Sequence, residues 1–259
     1  MQQFIVDAFT DRLFAGNQAA VCLPDAPLPD ALMLQIAREN NFSETAFLVP
    51  EADGWRLRWF TPAAEIDLCG HATLAAAYVI LRIIEPHRDA VTFRTRSGNL
   101  YITRENGAFA MEFPAYTLHP AAVTPQMCEA IGADVQEAYL DRDLLLVLSH
   151  AADVRALHPD AEKLTALEGL LTAVTAPADS PEFDCVSRVF APKAGIAEDP
   201  VTGSAHCMIA PYWAKRLGKL EIAAFQASER TGILRCTDCG SRVRIAGDAV
   251  LFSSGKLSL

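Results

Sequence analysis

Residues Glu65–Leu81 have the sequence EIDLCGHATLAAAYVIL, in which a Cys-Gly-His turn leads into an apolar run with many alanines and no charged residue. A helix without a polar face has no side to turn to water, so it has to be buried. At about ten residues the run is well short of the roughly 20 that span a membrane. The stretch therefore predicts a helix over residues 71–81 that is enclosed by the protein.

The same pattern returns in the second half of the chain. Residues 64–72 (Ala-Glu, four residues, Gly, any residue, Ala) align without gaps with residues 197–205, and Gly203 likewise opens an apolar segment at 204–217. The spacing is far too long for a solenoid repeat. We therefore expect two related half-molecules, each built around one buried helix, with a chance match as the open alternative.

Length and charge limit the class of protein. The 259 residues suit one large domain or two of ordinary size. A net charge of −10 argues against nucleic acid and anionic membranes as partners. The first seven residues have no cationic region, and the seven cysteines lie mostly in apolar surroundings, which predicts a reduced, cytoplasmic protein.

The division into domains is predicted from a proline-rich segment. Residues 114–125 contain three prolines and little periodicity, which is typical of a linker. The expected domains are residues 1–114, with the final strand 248–259 as a candidate addition, and residues 115–247. Within the first, Asp30–Glu39 is predicted to be a helix with Asp30 as its N-cap, and Asn106-Gly107 is predicted to form a hairpin turn.

The two glycine-led helix starts are the first candidate site. A helix N-terminus carries unpaired N–H groups and the positive end of a dipole, and Gly70 or Gly203 lets a ligand approach that backbone. Two such starts, one in each half, would hold one small carboxylate between them. The alternative is that both glycines merely begin helices.

Glu44 is the second candidate. It lies in Asn41–Phe47 (NFSETAF), where a helix ends and an apolar strand begins. Desolvation by the neighbouring phenylalanines would make this carboxylate a better proton acceptor. The alternative is a glutamate on a solvated strand end, which is common for an isolated Glu.

Residues 198–206 (EDPVTGSAH) form a third, polar cluster around the second helix start. Asp199 is a candidate proton acceptor and Ser204 a candidate hydrogen-bond donor to an oxyanion. Thr202 or Ser204 is equally explained as an ordinary N-cap, and His206 is expected to be a packed or supporting histidine.

Two cysteine arrangements suggest other chemistries, a thiol base and a zinc site. Cys69 precedes a helix start, as the base of a thiol racemase would, but its counterpart in the second half is Thr202, which cannot act as a base near neutral pH. Cys236-x-x-Cys239 lacks the second ligand pair that structural zinc requires. Motifs for nicotinamide, nucleoside triphosphate and serine hydrolase chemistry do not occur.

With these residues in view, the chain resembles the phenazine biosynthesis isomerase-like (PhzF-like) family along its whole length. The matching stretches are DAFT-x-x-x-FAGN at 7–17, NFSETAF at 41–47, EIDLCGHATLA at 65–75, EDPVTGSAH at 198–206, and Gln226 with Arg230-x-Gly232. The resemblance implies the diaminopimelate epimerase-like α+β fold. In that fold two α/β domains each roll a β-sheet around a central helix, and the site lies in the cleft between them.

The resemblance also implies the roles of individual residues. The catalytic set falls on Glu44 as the acid–base group, with His71, Asp199 and Ser204. The substrate-binding set falls on Asn17, Ser43, Gly70 and Gly203. Family members usually need no cofactor, no metal is expected, and many are homodimers. Two departures, Gln18 in place of Pro and Ala227 in place of Gly, bear on which substrate fits.

The expected function is a cofactor-independent isomerase of a small carboxylate-bearing metabolite, with Glu44 moving the proton. Three alternatives stay open at this point: an epimerase or racemase of the same fold, disfavoured by Thr202; a non-catalytic, protein-binding member of the family; and a zinc protein using Cys236 and Cys239.

Overall fold

The computed structural model describes residues 1–52 and 54–258 and shows an α+β protein made mostly of sheet. The α-helices are α1 (Asp30–Asn40), α2 (Gly70–Tyr78), α3 (Pro125–Ile131), α4 (Ala151–Arg155), α5 (Ala161–Ala166) and α6 (Gly203–Leu217). A π-helical segment (Val79–Ile84) continues α2, and Pro192–Ala194 form a 3-10 turn.

The strands are short, and several are separated only by tight turns. They are β1 (Gln2–Ala8), β2 (Asn17–Leu23), β3 (Glu44–Glu51), β4 (Gly54–Phe60), β5 (Glu65–Ile66), β6 (Ala90–Thr95), β7 (Gly98–Glu105), β8 (Ala108–Pro114), β9 (His119–Ala121), β10 (Glu137–Leu140), β11 (Leu144–Val147), β12 (Thr172–Pro177), β13 (Cys185–Ala191), β14 (Ile196–Asp199), β15 (Glu221–Gln226), β16 (Gly232–Asp238), β17 (Arg242–Gly247) and β18 (Ala249–Lys256).

The chain forms two compact units. The first comprises residues 1–112 and the segment from Ala246 onward, and the second comprises residues 113–245. The predicted linker at 114–125 belongs to the second unit, where β9 pairs with β10. The prolines therefore limit this segment to a three-residue strand and do not leave it unstructured.

In the first unit the strands follow the order β18-β1-β2-β3-β4-β6-β7-β8. From β1 to β7 the pairings alternate: antiparallel, parallel, antiparallel, parallel, antiparallel. Each parallel pair needs a crossover, and these crossovers contain α1 and α2. The β7–β8 turn is the predicted Asn106-Gly107 hairpin, with φ of 49° and 91° at its two central residues.

The second unit repeats this connectivity. Its strands follow the order β9-β10-β11-β12-β13-β15-β16, and from β10 to β16 the pairings alternate in the same sense. The crossovers contain α4 with α5, and α6. The short strand before the buried helix, β5 or β14, pairs antiparallel with β4 or β13 respectively. Both units therefore have the topology expected of related half-molecules.

A bidentate ion pair explains the glutamate shared by the two aligned stretches. Glu65 binds Arg58 on β4 through contacts of 2.7 and 2.8 Å, and Glu198 binds Arg188 on β13 through two contacts of 2.7 Å. In each unit the guanidinium also lies over the ring of the phenylalanine two residues later, at 5.2 and 5.0 Å. The two halves therefore share this Arg–Glu ion pair as well as the short sequence match.

The predicted buried helix is confirmed. Every residue of α2 from His71 to Ala77 is buried, and the helix packs against β1, β2, β3 and β18. Its alanines allow this close enclosure because each adds only one carbon beyond the backbone. None of the helices in the described part of the chain combines the length and hydrophobicity of a membrane span.

Helix α6 is buried in the same manner against β12, β15 and β16, although it contains Pro211. Proline has no N–H, so the Cys207 carbonyl four residues earlier loses its helical partner. The backbone N–H of Tyr116 donates to that carbonyl at 3.0 Å. A segment outside the helix thus satisfies the acceptor that Pro211 leaves unpaired.

The start of α1 differs from the prediction by one residue. Pro29 occupies the N-cap position and Asp30 is the first helical residue. Asp30 instead forms an ion pair with Arg58 at 2.8 Å, and its negative charge in the first turn is favourable to the helix dipole.

Candidate active-site residues in the two units

The start of α2 lies beside two strand ends in the first unit. Asn41, in the left-handed conformation with φ of 53°, ends α1, and the chain enters β3 at Glu44. β3 runs parallel to β2, which begins at Asn17. Because α2 packs on both strands, its first turn brings His71 to their ends. The side chains of Asn17, Glu44 and His71 are therefore assembled by the fold from three separate motifs.

The His71 ring is contacted on both nitrogens. Nε2 lies 3.1 Å from Oε2 of Glu44, while Nδ1 lies 3.2 Å from Nδ2 of Asn17 and 3.5 Å from Sγ of Cys69. Glu44 and His71 are only 9% and 5% exposed. The Glu44–His71 contact is short but poorly directed, so neither Oε2 nor Nε2 has a well-formed hydrogen-bond partner among the described residues. Two buried polar atoms thus face each other with bonding capacity left for a ligand.

The charge of this group follows from its surroundings. Burial acts to lower the pKa of His71, but interaction with Cys69 and, after it, with Glu44 outweighs burial and raises that pKa well above its ordinary value. Burial raises the pKa of Cys69 to about 11, so at neutral pH Cys69 is a neutral thiol. The carboxylate of Glu44 is then the negative charge that favours a proton on His71.

Two other chemistries fit this group poorly. A thiol base requires a lowered pKa, and Cys69 has a raised one. Glu44, Cys69 and His71 have donor atoms within 4.8 Å of one another, as a metal site would. However, Glu44 and Cys69 contact opposite nitrogens of the imidazole. A metal ion on one nitrogen would face only one of these two ligands.

In the second unit the polar cluster surrounds the start of α6. Asp199 ends β14, Thr202 is the N-cap, and Gly203 and Ser204 are the first helical residues. Thr202 Oγ1 donates to Oδ2 of Asp199 at 2.6 Å. Thr202 makes no side-chain cap hydrogen bond, and neither does Cys69, the corresponding N-cap of α2. Both helix starts thus lack the side-chain acceptor that usually occupies their first N–H groups.

His206 is a packed histidine, as expected. It is fully buried, and burial lowers its pKa to about 4, so the ring is neutral at neutral pH. Nδ1 donates to the Thr202 carbonyl at 2.8 Å. Nε2 is therefore the acceptor, and it faces the Ser187 hydroxyl at 3.5 Å.

The remaining residues named from the sequence fall as follows. Ser43 is half-buried immediately before β3. Cys236 is buried on β16 while Cys239 is exposed beyond it. These two cysteines join no cluster of metal-ligand type within the described residues, so the zinc alternative gains no support.

One residue was missed as a contributor to the cluster. Gln226 is fully buried and its side chain contacts both Asp199 and Thr202. The signal was present in the alternation of β15, since Ile222, Ala224 and Gln226 share the buried face. An amide at such a position needs hydrogen-bond partners inside the protein.

Comparison with known proteins agrees with this fold. Residues 6–255 match the family described as phenazine biosynthesis-like protein, PhzC-PhzF. An uncharacterized isomerase of Pseudomonas aeruginosa is 48% identical over 256 residues, covering 99% of this chain and 98% of the relative. The crystal structure of a PhzF-family phenazine biosynthesis protein from Enterococcus faecalis has a TM-score of 0.97 and 44% identity, covering 100% of this chain and 99% of that one.

A more distant likeness concerns the fold alone. The crystal structure of a probable proline racemase from Agrobacterium radiobacter K84 has a TM-score of 0.64 at 10% identity, covering 100% of this chain and 93% of that one. The racemase agrees with the fold that the resemblance implies, and the closer matches confirm the resemblance seen in the sequence motifs. The chain belongs to the phenazine biosynthesis-like (PhzC-PhzF) family.

Proposed function

We propose that this protein is an isomerase that moves a proton between two carbons of a small carboxylate-bearing molecule, with Glu44 as the acid–base group. The observation that carries the proposal is the facing pair of buried atoms, Oε2 of Glu44 and Nε2 of His71, 3.1 Å apart and without other partners in the described chain. A buried carboxylate with remaining acceptor capacity is suited to take a proton from carbon.

The proton balance involves Glu44 alone. The ionised carboxylate takes a proton from one carbon of the substrate, and the resulting carboxylic acid returns it at another carbon, so that the enzyme ends in its starting state. His71 faces Oε2 through Nε2 at 3.1 Å and so holds the carboxylate in position. Asn17 and Cys69 contact the opposite side of the ring and hold its orientation.

Within each unit, taken by itself, the helix start is suited to bind negative charge. The N–H groups of the first turns of α2 and α6 carry partial positive charge, and the N-cap side chains do not occupy them. Ser204 adds a hydroxyl donor at the start of α6. Donors already fixed in place cost no reorganisation when charge develops during proton transfer.

The relatives named isomerases support this assignment. An epimerase with two thiol bases fits less well, because the pKa of Cys69 is raised to about 11 and the matching position holds Thr202. The substrate is a small carboxylate in this proposal, with its identity to be found by screening.

The test uses solvent deuterium. Small carboxylic acids are incubated with the protein in heavy water, and incorporation at carbon is followed by mass spectrometry. Glu44→Gln keeps the size and polarity of the side chain but cannot accept the proton, so incorporation should fall about 10²- to 10⁴-fold. Glu39→Gln, at an exposed position on α1, is the matched control and should behave as wild type. Equal incorporation by wild type and Glu44→Gln would remove Glu44 from the mechanism.

A further inference from the structure

The amide of Gln226 is bonded at both of its polar atoms inside the second unit. Oε1 accepts from the backbone N–H of Thr202 at 2.9 Å, and Nε2 donates to the backbone carbonyl of Asp199 at 2.7 Å. Nε2 also lies 3.2 Å from Oγ1 of Thr202. The side chain is 0% exposed, so water cannot replace these partners.

These contacts fix which way the amide points. A backbone N–H can only donate and a carbonyl can only accept. Oε1 must therefore face Thr202 and Nε2 must face Asp199. The reversed amide would place two donors together at Thr202 and two acceptors together at Asp199, both buried, which is strongly unfavourable.

The amide in turn fixes the hydroxyl of Thr202. Oγ1 accepts from Nε2 of Gln226, so its single proton is directed at its other close partner, Oδ2 of Asp199, 2.6 Å away. The Thr202 carbonyl is held by Nδ1 of His206. Every polar group of Thr202 is thus engaged in this network.

Other helices of the same unit show what Thr202 would otherwise do. Thr124, at the N-cap of α3, accepts from the N–H of Met127, and Asp160, at the N-cap of α5, accepts from two first-turn N–H groups. Thr202 occupies the same position on α6 but makes no such bond. The difference lies in its partners, because Gln226 and Asp199 hold the hydroxyl away from the helix.

We infer that Gln226 is a positioning residue that keeps the side chain of Thr202 from capping α6, and thereby keeps the first turn of α6 open to the carboxylate of a ligand. This role rests on the proposed function for the identity of the ligand. The hydrogen-bond network itself does not depend on it, so the two are tested separately.

The network is tested first, by NMR without any ligand. In the wild-type protein the side-chain amide hydrogens of Gln226 should exchange with water at least about 100-fold more slowly than those of Gln136, which is exposed. The Thr202 hydroxyl proton should be observable and should show a contact to Asp199. Exchange of the Gln226 amide at the rate of Gln136, or a hydrogen bond from a first-turn N–H of α6 to Oγ1 of Thr202, would overturn the inference.

The consequence for binding is tested with malonate and benzoate as probes, by calorimetry. Gln226→Met removes the donor that Oγ1 of Thr202 accepts from, so Oγ1 can instead accept from a first-turn N–H of α6 while its proton still points to Asp199. The dissociation constant should then rise roughly five- to tenfold, the value of one N-cap hydrogen bond. In a Thr202→Val background there is no hydroxyl to release, so adding Gln226→Met should change the constant less than about twofold.

The double-mutant design separates positioning from general damage. An equal loss in both backgrounds would mean that Gln226 acts only through stability and would refute the positioning role. If wild type binds neither probe, the carboxylate part of the proposed function fails for these ligands, and the NMR measurement alone decides whether Gln226 directs Thr202.

Discussion

Acidification from pH 7 to pH 4.5 should destabilise this protein through His206. Burial lowers the pKa of His206 to about 4, whereas a histidine in the unfolded chain has a pKa of about 6.5. Between these values the unfolded state binds a proton that the folded state does not. The stabilising contribution is therefore fully present above about pH 6.5 and is lost as pH falls toward 4.

The size of the effect follows from the two pKa values. Their separation corresponds to about 3 kcal/mol between pH 7 and pH values below 4, and most of it falls above pH 4.5. The ring is fully buried, so solvent does not screen the effect. A loss of this size is a large fraction of the stability of a typical domain.

The assay is urea unfolding at several pH values, comparing wild type with His206→Asn. The asparagine amide can still donate to the Thr202 carbonyl but cannot titrate, so the stability advantage of wild type should shrink by about 2–2.5 kcal/mol between pH 7 and pH 4.5. The carboxylates titrate alike in both proteins, so their contribution cancels when the two free energies of unfolding are subtracted at each pH. His119→Asn, at an exposed position, serves as the control. A difference between wild type and His206→Asn that is constant from pH 7 to pH 4.5 would refute the reasoning.

Three further predictions concern single residues. Cys69→Ser should keep the melting temperature within a few degrees and deuterium incorporation within about twofold, because the thiol is neutral at working pH; loss of incorporation in a folded variant would restore a thiol mechanism. Gly232→Ala places a methyl 2.2 Å from Val201 Cγ2 and should cost about 1–3 kcal/mol in urea unfolding; Val201→Ala should recover part of this loss, and purely additive costs would contradict the steric explanation. The pKa of His71 is raised, so its interaction with Glu44 stabilises the fold fully below about pH 6.5 and less as pH rises through the folded-state pKa. The difference in free energy of unfolding between wild type and His71→Asn should therefore shrink as pH rises, and a difference that grows would contradict this direction.

The sequence predicted the features that depend on strong local patterns. The burial of α2 followed from its uncharged, alanine-rich composition, and the hairpin at 106–107 followed from Asn-Gly. The relation between the halves was visible only as a short match, but the repeated Arg–Glu pairs give that match a structural cause. α4 was missed because its five residues are too few to show a periodic pattern.

The site was only partly predictable for a related reason. Glu44 and His71 were identified separately, but their contact depends on the parallel pairing of β2 with β3 and on the packing of α2 above them. Such a contact joins residues far apart in the chain, and local patterns do not encode it. Gln226 was named only as part of the family motif, and its contacts were not predicted because an amide at a strand end is ordinary until its neighbours across the fold are known.

Pro211 has a consequence for how the second unit reaches its native state. The hydrogen bonding of α6 is complete only when the backbone N–H of Tyr116, about 90 residues earlier in the chain, is bonded to the Cys207 carbonyl. Local coil-to-helix folding can form most of the helix, but closure of this long loop is needed to satisfy its last internal acceptor. Formation of α6 and docking of the segment after β8 are therefore coupled. A residue usually regarded as a helix breaker here makes a local element depend on a distant part of the chain, and so makes folding more cooperative.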